Sequence, residues 1–303
     1  MDEIDLQIIL LLMNNSRLTY REISNYLGLS VNAVYKRVQA LIDIRTIEKF
    51  TARLKPYAIN AIYAFIFGQS NAQDMDNAIT ELGKNDNTWQ IALSSRNYIY
   101  IGTMLENIHQ LDEYSSFISK AAKMQSPKIG LLSGVHYIAP IPYIVPKSRS
   151  MNYDNLDLEI IRALHNDSRK PISEVADEVK STSNTIRRRL TRMIEEGIIE
   201  LSIDFNPEAS NDIFSVFQIL VNPSFDKNEI AHFLNEKYHP NLFYCWTFSN
   251  LPNVILCWVW ANNMKELTEL VENIKKEDID SIIFDIMYKV YYFDTWKEKI
   301  LYK

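Results

Sequence analysis

Arg187-Arg188-Arg189, with Arg192 a turn further on and Asn184 a turn before, places four guanidinium groups and an amide on a short stretch of chain. Guanidinium groups bind phosphate as charges and the edge of guanine through paired donors, and amides pair with the edge of adenine. A second set, Asn32, Tyr35, Lys36, Arg37 and Gln39, offers two amides, a phenol and two cations over a similar span. Both sets suit the phosphates and base edges of a nucleic acid. Plainer readings stay open beside this one. The arginines could be a solvated helix face, and Arg37 and Arg189 could pair with carboxylates of their own domain. Tyr35 could pack on a neighbouring strand, and Asn32 and Asn184 could cap helices.

Other chemistry has little support. Seven glycines in 303 residues make no GxGxxG and no P-loop, and neither G-x-S-x-G nor HExxH occurs. His109, His136, His165, His232 and His239 are scattered without metal-ligand spacing and read as structural. Cys245 and Cys257 stand in apolar segments without CxxC spacing, so they read as packed thiols in a reducing compartment, with no disulfide framework. No catalytic residue, metal or cofactor is expected. The net charge of −6, from 32 basic and 38 acidic side chains, rules out a uniformly cationic coat and confines any nucleic-acid contact to a local patch. The acidic start Met1-Asp2-Glu3 is unlike a signal peptide, and the apolar runs at 8–13 and 254–261 are too short to span a bilayer. A cytoplasmic protein without membrane contact is expected.

The elements that carry the two polar sets are related by an internal repeat. Residues 2–48 align without a gap onto 154–200, and 15 of the 47 pairs are identical, among them Asp2/Asp154, Asp5/Asp157, Ser16/Ser168, Arg17/Arg169, Asn32/Asn184 and Arg37/Arg189. Leu6, Ile9 and Leu12 recur at helical spacing and give the first helix of each copy an apolar face. In copy one the pattern predicts helices from Asp2 to Asn14, from the Thr19/Glu22 capping box to about Leu27, and from a Ser30 cap to about Ile42, with a turn at Gly28. Two short helices across such a turn are a helix-turn-helix, and the third carries the polar set outward while Val34, Val38 and Leu41 face in. Residues 47–54 and 199–205 then read as a hairpin arm, a wing.

Each winged helix is followed by a pattern of the order β-α-β-β-α-β, the ferredoxin-like α+β arrangement. The predicted domains are a winged helix-turn-helix at 1–55, an α+β domain at 56–139, a proline-rich linker at 140–153, a second winged helix-turn-helix at 154–207 and a second α+β domain at 208–303. The aromatic stretch from Tyr288 to Phe293, with Trp296, fits either a ligand pocket or a strand paired across an interface, and the strand is favoured.

Ile4-Asp5-Leu6-Gln7-Ile8-Ile9, the Ser16-Arg17 pair and the stretch Leu29 to Val38 resemble the Lrp/AsnC family of transcriptional regulators. Copy two repeats the likeness at Leu156 to Ile161, Thr182 to Leu190 and Glu195 to Ile199. The resemblance implies double-stranded DNA as partner and a third helix that reads the major groove. Family members pair through their α+β domains, so a fused chain would form that pair within itself, as a pseudo-dimer, with a homodimer of whole chains still open. It also implies a small-molecule effector bound at a Gly-Asp type loop, but the corresponding loops here are Ser94-Ser95-Arg96-Asn97 and Ser249 to Asn253. Copy one has Arg45 where copy two has Gly197, and copy two has Lys180 where copy one has Gly28, so the copies are expected to bend differently. Two rival readings remain. The same domain pairing resembles sirohaem decarboxylases, whose histidine-bearing strand motif is missing around Trp89 to Ser95, and degenerate winged helices could instead dock onto transcription machinery.

Overall fold

The computed structural model describes residues 1–136 and 153–302. The expected linker, apart from Tyr153, and residues 137–139 of the expected first α+β domain lie outside them. Copy one runs α1 (Glu3–Asn14), α2 (Tyr20–Leu27), α3 (Val31–Asp43), β1 (Ile47–Leu54), β2 (Ile62–Gln69), α4 (Met75–Gly83), β3 (Thr88–Ser94), β4 (Tyr98–Leu105), α5 (Gln110–Ala121) and β5 (Lys128–His136). Copy two runs α6 (Asn155–Leu164), α7 (Ile172–Glu178), α8 (Ser183–Glu195), β6 (Ile199–Phe205), β7 (Ile213–Leu220), α9 (Lys227–Lys237), β8 (Leu242–Phe248), β9 (Val254–Ala261), α10 (Met264–Ile274) and β10 (Ser281–Tyr292), and a last helix, α11 (Trp296–Lys299), follows.

Local chemistry sets the helix ends. Asp2 caps α1 and exchanges hydrogen bonds with Asp5, a capping box that Asp154 and Asp157 repeat on α6. Thr19 and Glu22 do the same for α2, whereas Pro171 at the equivalent place on α7 has no side chain to donate or accept. The turn between the second and third helices needs a left-handed residue, Gly28 in copy one and Lys180 in copy two. After the third helix the same conformation falls to Arg45 and to Gly197. The copies therefore do not bend differently at these turns. Lys180 (φ 52°) and Arg45 (φ 61°) accept a strained conformation because the surrounding helix packing demands the same path.

The structure divides into two compact units, and each contains a piece of both copies. In the first, the α+β strands form a closed barrel in the order β10-β3-β4-β2-β5-β8-β9-β7. Within it each copy keeps the ferredoxin-like order, β5-β2-β4-β3 and β10-β7-β9-β8, and the last strand of each copy crosses to the other. β10 pairs through Ser281–Met287 with β7, then with β3, where Tyr291 lies opposite Ile91 and Tyr292 opposite Gln90. β5 makes the reciprocal crossing from β2 to β8. The aromatic stretch at 288–292 is thus largely a paired strand. Helices cover the outer faces, with Phe217, Ile219, Leu234, Ile255, Val259 and Leu267 in the copy-two core and Ile66, Leu82, Ile91, Ile101 and Tyr114 in the copy-one core.

The second unit holds both helix-turn-helix copies. β1 forms no hairpin: it pairs antiparallel with β6 of the other copy, from Leu54 opposite Ile199 to Lys49 opposite Asp204, as a two-stranded sheet. The expected hairpin form of the arm is corrected accordingly. Each arm finds its ladder in the opposite copy, and α1 packs on β6 while α6 packs on β1. Ala52, Leu54 and Ala58 of copy one are buried in the core of copy two, with Ile160, Ile161, Leu164, Ile186, Leu190 and Met193. Trp296–Tyr302, expected in the second α+β domain, belongs to this unit instead, because Leu301 completes that same core and Arg162 lies 5.5 Å above the Tyr302 ring.

Candidate nucleic-acid interface

The third helices are built to turn one face outward. Ser30 caps α3 through the Ala33 amide, and Thr182 caps α8 through the Thr185 amide. The asparagines are therefore not the caps. Asn32 and Asn184 sit in the first turn, exposed, on the same side as Tyr35 and Lys36 in copy one and as Arg187 and Arg188 in copy two. Val34, Val38 and Leu41, and Ile186, Leu190 and Met193, are buried on the opposite side. Gln39 is half-buried at the edge. Tyr35 packs edge-on against Tyr20 of α2, ring centroids 5.5 Å apart, and remains half exposed.

The other arginines turn inward to carboxylates. Arg37 Nη1 reaches Asp5 at 2.7 Å and Asp2 at 2.8 Å, so the α3 cation is tied to the capping box of α1. In copy two Arg189 Nη1 reaches Asp154 at 2.7 Å and Asp157 at 3.0 Å, and Arg192 donates to Asp157 as well. Asp157 is fully buried, so two guanidinium groups converge on one shielded carboxylate. The hydrogen bond from Arg189 holds the Asp154 carboxyl below its ordinary range, and the same contact raises Arg189 in return. Hydrogen bonds from the Asp5 backbone and from Arg37 lower Asp2 likewise, against the opposing effect of burial. Among the described residues, Lys36, Arg187 and Arg188 enter no salt bridge; Arg187 Nη1 instead meets Asn184 Oδ1 at 3.3 Å. The ten polar residues thus separate into an outward group and an anchored group of Arg37, Arg189 and Arg192.

The Ser16-Arg17 and Ser168-Arg169 pairs of the repeat hold the two copies together, a role that their sequence positions alone do not reveal. Ser16 Oγ and Ser168 Oγ are 2.6 Å apart and buried. Arg17 donates across the seam to the carbonyls of Ser168 and Lys170, and Arg169 donates back to those of Ser16 and Leu18. Arg169 also lies 4.3 Å above the Phe50 ring. His165, the one histidine on a helix-turn-helix copy, closes the same seam with Nδ1 3.0 Å from the Ala52 carbonyl oxygen. The serine and arginine hydrogen bonds are reciprocal between the copies, as in an isologous, twofold interface, whereas the His165 and Phe50 contacts are one-sided, since copy one has Met13 and copy two has Ser202 at the equivalent positions. Arg53 and Asp204, on the paired strands, add an ion pair at 2.7 Å.

In the other unit the loop between β3 and β4 is occupied by the protein itself. Arg96 (φ 63°) and Asn97 (φ 55°) are both left-handed, and Arg96 donates through Nε and Nη2 to Asp285 at 3.0 and 2.6 Å. Tyr100 donates to the other oxygen of the same fully buried carboxylate at 2.9 Å, and Gln218 donates to Tyr100. Burial, with Asp285 adjoining, drives the Tyr100 phenol well above its usual range.

Comparison with known proteins agrees with this geometry. Residues 1–42 match the AsnC-type helix-turn-helix domain and residues 153–200 the winged helix-turn-helix DNA-binding domain. An uncharacterized HTH-type transcriptional regulator of Pyrococcus furiosus is 41% identical over 66 residues, 22% of this chain and 45% of that protein, so the match spans about half of that relative. The HTH-type transcriptional regulator FL11 of Pyrococcus horikoshii is 28% identical over 120 residues, 39% of this chain and 80% of that protein. Among solved structures, the siroheme decarboxylase NirDL is similar over 99% of this chain and 96% of its own, with TM-score 0.62 and 9% identity, a likeness of fold alone. No helix among the described residues is long and apolar enough to cross a membrane. The chain therefore carries two helix-turn-helix domains, one of AsnC type and one of winged type, each followed by a ferredoxin-like α+β segment.

Proposed function

We propose that the chain is a DNA-binding transcriptional regulator that is not an enzyme and in which α3 and α8 enter the major groove of double-stranded DNA at two half-sites. The observation that carries this reading is the outward polar face of each third helix, clear of internal carboxylates, on two copies clasped by reciprocal Ser-Arg contacts. Asn32, Tyr35, Lys36 and Gln39 contact DNA in copy one, and Asn184, Arg187 and Arg188 in copy two. Arg37, Arg189 and Arg192 are positioning residues that hold each third helix to the first helix of its copy.

The two faces are chemically unlike, so the half-sites are unlike too. Amides favour adenine and guanidinium groups favour guanine, which places A·T pairs under copy one and G·C pairs under copy two. Selection of bound duplexes from a random pool tests this. The expected product is a bipartite site whose two halves differ, and Arg187→Gln/Arg188→Gln relaxes only one half. A pool that enriches no sequence contradicts the proposal.

A small-molecule effector at the loop between β3 and β4 is not part of this reading, since Arg96 commits that loop to Asp285. One chain supplies both heads, so pairing of whole chains is not required. The fold shared with NirDL favours a second reading, a tetrapyrrole as substrate. β3, β4, β8 and β9 contain no histidine to meet it, and a Soret shift on titrating the protein with an iron porphyrin would revive that reading.

A further inference from the structure

The only two cysteines of the chain stand directly opposite each other on adjacent antiparallel strands. Cys245 of β8 is the register partner of Cys257 of β9, and their Sγ atoms are 3.0 Å apart. Cα atoms of facing residues in an antiparallel pair are about 4.5–5.5 Å apart, inside the range of about 4.4–6.8 Å that a disulfide bridges. Both side chains are fully buried in the core beneath α9 and α10, among Phe217, Ile255, Val259 and Leu267. At a facing position in copy one stands an apolar pair, Ile91 opposite Ile101, so packing there does not call for sulfur. The spacing of 12 residues carries no signal in the sequence; only the strand register brings the thiols together.

We propose that Cys245 and Cys257 form an intramolecular disulfide that fastens the β8–β9 hairpin of the barrel. The oxidant is a small-molecule disulfide. One cysteine, as thiolate, attacks a sulfur of the reagent and expels one thiol; the second cysteine attacks the mixed disulfide and expels the other. Two cysteine protons are lost, one S–S bond forms in the protein, and the reagent is reduced to two thiols. Burial pushes the Cys257 thiol well up, and the adjoining Cys245 adds to this, so the exchange takes place on the opened hairpin and the closed core then shields the bond.

The full chain, refolded with oxidised glutathione or with excess reductant, is denatured, treated with iodoacetamide and weighed by intact mass spectrometry. The expected oxidised product is monomeric, takes up no reagent and is two hydrogens lighter than the reduced chain, and a peptide map joins Cys245 to Cys257. Its thermal midpoint falls by roughly 5–10 °C on reduction. The Cys245→Val/Cys257→Val chain, patterned on the apolar pair of copy one, shows no such dependence on reductant. Two alkylated cysteines after oxidative refolding, a glutathione adduct that never resolves, or a bond between chains would each overturn the proposal.

Discussion

Asp157→Asn separates the anchored arginines from the outward ones. The native carboxylate is fully buried, accepts from Arg189 at 3.0 Å and from Arg192, and receives the Asp154 backbone N–H at 3.1 Å. Breaking a buried ion pair costs about 3–5 kcal/mol. The side chains of Arg189 and Arg192 keep 22% and 36% of their exposure, and asparagine retains an acceptor, so the expected loss is smaller, about 2 kcal/mol. At about 2–4 °C per kcal/mol, the transition of the helix-turn-helix unit falls by roughly 4–8 °C, as read by circular dichroism. The freed guanidinium groups also steepen the salt dependence of DNA binding, by up to about 0.9 for each that reaches a phosphate. An unchanged midpoint with an unchanged slope would refute the assignment of these arginines as anchors.

The left-handed turns give a test of opposite sign: Lys180→Gly and Arg45→Gly remove strain and should each raise stability by about 0.5–1 kcal/mol in denaturant titrations. Gly102 faces Trp89, whose Nε1 lies 2.2 Å from where a Cβ would stand, so Gly102→Ala should cost about 1–3 kcal/mol and shift the tryptophan emission. The depressed Asp154 carboxyl contributes stability that is present above its unfolded pKa and lost as pH falls through its lower folded value. Asp154→Asn should therefore lower stability at neutral pH and flatten its decline below about pH 4, measured by urea unfolding across pH.

The helices and strands were legible because hydrophobic period and capping residues act locally: Thr19 with Glu22 and Ser30 act where they were read. The repeat disclosed the duplication. What it could not disclose was which copy each edge would pair with. β1 has the alternation of a hairpin arm, and nothing in that pattern distinguishes a return strand from its own copy and a strand from about 150 residues away. Leu301 looked like the end of an α+β domain because its burial depends on Ile160 and Met193 and not on its sequence neighbours. The polar face was visible as a set of ten, but separating Arg37, Arg189 and Arg192 from it required the positions of Asp2, Asp5, Asp154 and Asp157. Those aspartates were already present among the identical repeat pairs, and a coupled reading of Asp5/Asp157 with Arg37/Arg189 would have found the anchor.

Binding of duplex DNA by fluorescence anisotropy over a salt series, for the parent chain, Arg187→Ala/Arg188→Ala and Arg189→Ala, tests the central claim most directly. The account predicts salt-dependent binding by the parent, a slope shallower by about 0.9 to 1.8 for the double variant, and a nearly unchanged slope for folded Arg189→Ala. Absence of binding by the parent at low salt, or equal slopes for the parent and the double variant, would contradict it.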